Sequence, residues 1–299
     1  MIWPENVTIK EVGPRDGLQN EKVMIPAQSK IDWIDQLSET GLSYIEVTSF
    51  VHPKWIPQLS DSIEVAKGIK RNPDITYAAL VPNQRGLESA IEANIDEISV
   101  FMSSSETHNL KNINKSISDT LPVMKDVIGS AAKSGKTVRG YVSTVFGCPY
   151  EGQVSPEQVF RVCDQLFEYG INEVSLGDTI GVASPRQVAL FLERAVKRYD
   201  ISKMALHFHD TRGMALANVL QSLDYGVEIF DSSLGGLGGC PYAPGASGNV
   251  ATDDLIHMLH NMGIQTGINQ EKLIKAASMI QSFLEKPLPS HQMAVYNAQ

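Results

Sequence analysis

Along the chain, short apolar runs rich in β-branched residues alternate with longer stretches in which apolar positions recur every three or four residues, a strand period followed by a helix period. Strand-like runs cover 8–12, 44–48, 76–81, 97–102, 138–145, 173–176, 204–209 and 228–232. Helical spacing covers 27–38, 61–69, 84–93, a long stretch around 113–133, then 156–169, 185–199, 213–225 and 252–262. Ser155-Pro156 and Ser184-Pro185 mark helix starts, because proline lacks the N–H that a first helical turn leaves unpaired. Eight strand-helix repeats with short links predict an α/β fold, a parallel sheet closed into a (β/α)8 TIM barrel. An open doubly wound sheet is disfavoured, since no Gly-x-Gly-x-x-Gly follows the first run. A further helical segment, about 270–284, and a proline-containing tail exceed the eightfold pattern. They predict a C-terminal helical extension over about 265–299 on one catalytic domain spanning 1–299.

Composition narrows the function classes. The 299 residues are 42% hydrophobic and 20% charged, and no apolar run approaches the roughly 20 residues of a membrane helix. A strand-like segment begins only a few residues after Met1, which leaves no room for a leader and predicts a cytoplasmic protein. The net charge of -9 argues against nucleic acid as a partner, so any ligand phosphate must be met by local cations. Three well-separated cysteines, Cys148, Cys163 and Cys240, suit reduced thiols better than a disulfide framework. Cys163, inside a helical pattern, is expected to be buried.

Barrel enzymes carry their chemistry at the carboxyl ends of strands, and the polar residues of this chain concentrate there. In Leu206-His207-Phe208-His209-Asp210, two imidazoles on alternate strand positions share a face, an arrangement that can hold a divalent metal. A core histidine beside a solvated one is the competing explanation. Arg15 and Asp16 follow the first strand within Gly13-Pro14-Arg15-Asp16-Gly17-Leu18-Gln19-Asn20-Glu21-Lys22. Either could be a turn residue or surface charge. Glu46, inside the apolar second strand, needs a partner whatever its role, because a buried unpaired carboxylate is costly. Asp178, after the sixth strand, is compatible with a helix cap or a site role. The eighth strand leads into Gly235-Gly236-Leu237-Gly238-Gly239-Cys240-Pro241-Tyr242 and then Asn249. Such a loop serves as a flexible turn or as a phosphate cradle. A cysteine among glycines on an exposed loop favours function over packing.

Taken together, Gly13-Pro14-Arg15-Asp16-Gly17-Leu18-Gln19-Asn20-Glu21, Glu46-Val47-Thr48-Ser49-Phe50, His207-Phe208-His209-Asp210 and the glycine-cysteine loop closely resemble the 3-hydroxy-3-methylglutaryl-CoA lyases, over about residues 6–285. The wider group of metal-dependent barrel lyases and Claisen-type synthases shares the Arg-Asp pair, the His-x-His and the later asparagine; Cys240 distinguishes the lyases. The resemblance implies cleavage of 3-hydroxy-3-methylglutaryl-CoA to acetyl-CoA and acetoacetate, a step of leucine breakdown and ketone-body formation. It also implies a divalent cation, Mg²⁺ or Mn²⁺, on Asp16, His207, His209 and Asn249. A carboxylate, two imidazoles and an amide oxygen would leave two octahedral positions for substrate oxygens, as hard ions prefer.

Further roles follow from the same resemblance. Arg15 would hydrogen-bond the thioester oxygen as enolate forms. Asp16 or His207 would take the hydroxyl proton, and Cys240 would protonate the enolate carbon or exclude water as its loop closes. Glu46 and Asp178 would orient Arg15 and the groups behind the ligands, and Asp253 would supply an acidic residue behind Asn249. Ser49, Tyr141 and Ser175 would line the substrate pocket. Lys22 would meet CoA phosphates at the entrance. The protein is expected to be a homo-oligomer, dimer or tetramer, with an acyl-CoA as its partner. Competing readings are a condensing synthase or hydroxy-acid aldolase of the same barrel group, and an inactive metal-holding interaction protein.

Overall fold

Each strand is short and buried, with apolar residues on one face and single polar residues on the other. This pattern suits a sheet that packs helices outside and its own strands inside. The computed structural model describes residues 3–238 and 248–299. Its strands are β1 (Thr8–Glu11), β2 (Tyr44–Ser49), β3 (Thr76–Leu80), β4 (Glu97–Ser103), β5 (Thr137–Ser143), β6 (Glu173–Asp178), β7 (Met204–Phe208) and β8 (Ile229–Ser232). They pair in chain order, all parallel. β8 returns to β1 with Thr8 opposite Ile229 and Glu11 opposite Ser232, so the eight strands close a (β/α)8 barrel.

The surrounding helices are α1 (Ala27–Ser38), α2 (Ser62–Gly68), α3 (Gln84–Glu92), α4 (Glu106–Ile113), α5 (Ile117–Lys133), α6 (Pro156–Tyr169), α7 (Pro185–Ala195) and α8 (Ala215–Leu223), followed by α9 (Thr252–Asn261), α10 (Gln270–Leu284) and α11 (His291–Asn297). Ser155 and Ser184 cap α6 and α7 as expected, each paired reciprocally with the glutamine three residues on. The stretch expected as one helix around 113–133 is two. Asn114 adopts a left-handed conformation that closes α4, and Ser116 caps α5 by accepting from the Asp119 N–H. Both helices use polar residues that the apolar period does not register.

The C-terminal helices dock beside the first repeat. The Trp33 indole of α1 donates to the Ala276 carbonyl of α10 at 3.1 Å. Asp254 of α9 receives the backbone N–H groups of His291 and Gln292 at the start of α11, at 3.0 and 2.8 Å. Among the described residues no helix is long and apolar enough to cross a membrane. Cys148 and Cys163 are free and buried.

Side chains inside the barrel are polar, which departs from the branched apolar filling usual for this architecture. Lys10 reaches Glu173 at 2.9 Å and Glu97 at 3.7 Å, under the ring of Tyr44 at 4.2 Å. Arg139, wholly buried, spans Glu173 and Asp231 at 2.5 Å each. The apolar neighbours of these residues, such as Ile9, Ile98, Val138 and Phe230, belong instead to the core shared with the helices. An ion-paired layer therefore lies beneath the carboxyl-end mouth.

Candidate active site at the barrel mouth

The turn after β1 builds the first wall of the site. Residues Gly13–Gly17 form one wide π-type turn in which the Val12 carbonyl accepts from the N–H groups of Arg15, Asp16 and Gly17, at 3.1, 2.7 and 3.4 Å. This packs tightly against the segment after β8: a Cβ on Gly17 would stand 2.7 Å from Ser233 Oγ and 2.8 Å from Leu237 Cβ. Arg15 and Asp16 are thereby held at the mouth. The buried guanidinium of Arg15 donates from Nε to Glu46 Oε2 at 2.5 Å and from Nη1 to Asp16, and lies 5.2 Å from the centre of the Tyr141 ring. Glu46, fully buried on β2, also accepts from the Tyr141 hydroxyl at 3.2 Å. Its other oxygen is buried and has no hydrogen-bond partner among the described residues.

Asp16, His207 and His209 come together beside that pair, each offering a ligand atom within 4.8 Å of the others. Asn249 joins them from beyond β8. Its amide nitrogen donates to Asp16 Oδ2 at 2.8 Å and to the Leu237 carbonyl at 3.0 Å, and it bridges to the backbone of His209. The residues fit a cation by their unmet valence. Among the described residues, Asn249 Oδ1 and His209 Nδ1 are buried and meet no hydrogen-bond partner, a costly state that a metal would relieve. Protonation favours the same use. Burial acts to raise the Asp16 carboxyl, but Arg15, then His207, His209 and the Asn249 amide, outweigh it and hold it down to about 2. Burial, and then His207, push the His209 imidazole down to about 4, which leaves it neutral near pH 7.

Three residues important to this arrangement escape a reading of the sequence. Asp231, on β8, sits opposite His207 in the sheet register. Its Oδ2 lies 3.2 Å from His207 Nδ1 and accepts from Ser175 Oγ at 2.7 Å, while Oδ1 accepts from Arg139. Burial acts to raise the Asp231 carboxyl, but Arg139 outweighs it and holds it well below the usual carboxylate range. Arg139 itself and Glu11 complete the three. Glu11 accepts from the N–H groups of Gly13 and Leu234 and from Thr252 Oγ1, and so ties the β1 turn to the root of the glycine-rich segment. A lone charged residue in a strand, the signal that marked Glu46, was present for Arg139 and Asp231, whereas Glu11 follows directly on Lys10 in β1.

Several expected roles change. Asp178 does not reach Arg15: its carboxylate accepts from the backbone N–H groups of Val182 and Ala183, both at 3.0 Å, and so pins the turn ahead of α7. Burial pushes its carboxyl up to about 6 against those two bonds. Ser175, expected along the pocket, is fully buried with its hydroxyl on Asp231. Asp253 accepts from the Gly235 N–H and from Ser290, joining the glycine-rich segment to the C-terminal helices rather than backing Asn249. Tyr141 lies edge-on to the His207 ring, with centroids 6.2 Å apart. Ser49 ends β2, fully buried, and Lys22 is exposed on the way to α1. Cys240 lies outside the described residues.

Residues 6–280 match the family described as HMGL-like. The chain is 60% identical over 298 residues to the hydroxymethylglutaryl-CoA lyase YngG of Bacillus subtilis (strain 168), with 100% of each chain covered. A crystal structure of the Bacillus subtilis HMG-CoA lyase superposes with a TM-score of 0.98, covering 99% of this chain and 100% of that one. An HMG-CoA lyase from Acinetobacter baumannii, solved in complex with coenzyme A and 3-methylmalate, gives a TM-score of 0.93 at 40% identity, covering 98% and 96%.

Proposed function

The chain belongs to the HMGL-like family and works as a carbon-carbon lyase of the hydroxymethylglutaryl-CoA lyase type, and we propose that it does so at the Arg15–Asp16–His207–His209–Asn249 cluster. The substrate is 3-hydroxy-3-methylglutaryl-CoA and the products are acetyl-CoA and acetoacetate. The observation that carries the placement is a buried Asp-His-His group at a barrel mouth, next to a buried arginine.

Asp16, His207, His209 and the Asn249 amide oxygen would hold a divalent cation, Mg²⁺ or Mn²⁺. When bound, such an ion would act as a Lewis acid that polarises substrate oxygens. The chain's own groups have distinct tasks. Arg15, fixed by Glu46, donates to the thioester oxygen, whose charge grows as the C2–C3 bond breaks and enolate forms. The C3 hydroxyl proton passes to Asp16 or His207, and Arg15 beside Asp16 lowers the basicity of that carboxylate. Cys240, which lies outside the described residues, would return a proton to the enolate carbon. Tyr141 and Ser49 line the acyl end of the pocket, and Lys22 meets CoA phosphate at the entrance.

The reading extends to one catalytic domain, an acyl-CoA substrate, cytoplasmic residence and a homo-oligomer, dimer or tetramer. Coenzyme A in the Acinetobacter baumannii relative supports the acyl-CoA assignment. Incubation with 3-hydroxy-3-methylglutaryl-CoA should yield equal amounts of acetyl-CoA and acetoacetate, with loss on chelation and recovery on adding Mg²⁺ or Mn²⁺. Product formation that persists unchanged in chelator would remove the cation from the mechanism.

A further inference from the structure

The two histidines of the cluster are held differently. His209 Nδ1 is buried and meets no partner among the described residues, whereas His207 Nδ1 faces Asp231 Oδ2 at 3.2 Å. Asp231 is itself immobilised: Arg139 and Ser175 occupy its two oxygens, and Arg139 is anchored on its far side by Glu173 at 2.5 Å. A carboxylate paired with a buried guanidinium is an acceptor only, so the hydrogen shared with His207 belongs to the imidazole. That assignment leaves Nε2 of a neutral ring with a lone pair and no proton. The atom points to Asp16 Oδ2 at 4.0 Å, beyond hydrogen-bond reach.

We propose that Asp231 is a positioning residue: by accepting the Nδ1–H of His207 it fixes that ring in the tautomer and orientation that present Nε2 to the cation beside Asp16. The inference rests on the metal reading given above. Asp231 touches neither substrate nor cation in this scheme and acts through His207 alone. Partners of this kind change metal affinity by roughly 10- to 100-fold. The Arg139–Glu173–Lys10 ion pairs extend the support to the barrel floor, so the ligand is braced by the strands rather than by a loop.

The test uses full-length, chelator-stripped protein and Mn²⁺ alone, with free Mn²⁺ read by electron paramagnetic resonance. Asp231→Asn should weaken Mn²⁺ binding about 10- to 100-fold. In a His207→Ala background the same change should add less than about a further twofold, as expected when both changes remove one interaction. Long-range ¹H–¹⁵N NMR of metal-free wild type should show His207 protonated at Nδ1, a readout that needs no variant to fold. An Nε2-protonated ring, unchanged Mn²⁺ affinity in Asp231→Asn, or an undiminished loss in the His207→Ala background would each overturn the role of Asp231. Wild-type protein that takes up no Mn²⁺ would instead refute the metal reading itself.

Discussion

Replacing Glu11 by glutamine should flatten the pH dependence of stability of the metal-stripped protein above pH 5. The carboxyl is fully buried at the end of β1, with Gly13 and Leu234 N–H groups on one oxygen at 2.7 and 2.9 Å and the Thr252 hydroxyl on the other at 2.7 Å. Burial outweighs those donors, and nearby Asp253 adds to it, so the group is pushed from an ordinary 4.5 up to about 7. A carboxyl raised in this way binds its proton more tightly in the folded than in the unfolded chain. Its contribution is therefore fully present below pH 4.5 and is lost as pH climbs through 7. At about 1.4 kcal/mol per pH unit, that shift costs the folded state on the order of 3 kcal/mol by pH 8.

Glutamine imitates the protonated acid. Its carbonyl can keep both backbone donors, and its amide can donate to Thr252 Oγ1, whose own hydrogen turns to Ser232 Oγ at 2.7 Å. Urea unfolding with chelator present, from pH 5 to 8.5, should show wild type losing about 3 kcal/mol more than Glu11→Gln. With about 2.1 cal/mol/K per residue of unfolding entropy over 299 residues, the same difference is about 5 °C in Tm. Parallel curves for the two proteins over that range would refute the argument, because Asp178 and Asp253, both pushed up to about 6, remain in each.

Four further outcomes test the site. His207→Ala and His209→Ala should each lose bound metal by elemental analysis before they lose fold, and full occupancy in both would undo the ligand assignment. Cys240→Ala should lower turnover strongly with metal content intact; equal activity would remove the thiol from the mechanism. Arg15→Lys should lower kcat by roughly 10²- to 10³-fold, since a point cation cannot serve Glu46, Asp16 and the thioester oxygen together, and a drop confined to KM would contradict the enolate role. Gly238→Ala should weaken Mn²⁺ binding: the backbone there is left-handed at φ 100°, and a Cβ would stand 2.5 Å from Asn249 Nδ2. Mn²⁺ titration that matches wild type would argue against Asn249 as a ligand.

Much of this was legible in the chain because barrel strands and helices differ in period, and because each repeat buries its own apolar face. All eight strands fall within about two residues of the pattern, and Asp16, His207, His209 and Asn249 converge as the motifs suggested. The losses have two physical sources. Local polar chemistry divided α4 from α5, where Asn114 turns left-handed and Ser116 caps the next helix. The second source is register. Arg139, Glu173 and Asp231 are isolated charges in three different strands, and only lateral alignment of β5, β6 and β8 around the closed sheet reveals that they pair. The same blindness placed Ser175 in the pocket when its hydroxyl supports Asp231, and left Asp178 open between a helix cap and a role behind Arg15 and the ligands, where its two backbone N–H donors fit the cap.

The polar filling of the barrel connects scaffold to chemistry. Around the interior and mouth, the cations Lys10, Arg15 and Arg139 are outnumbered by Asp16, Glu46, Glu97, Glu173 and Asp231. Buried ion pairs give little net stability even when complete, and a buried carboxylate oxygen that finds no partner among the described residues, as on Glu46, is a cost. Apolar side chains would fill that volume more cheaply, so stability alone does not account for the layer. The proposed divalent cation would. It would meet surplus negative charge where Asn249 and His209 hold buried atoms that find no partner among the described residues. The ion pairs beneath then hold Asp231, and through it His207, rigid enough to meet that cation without rearrangement.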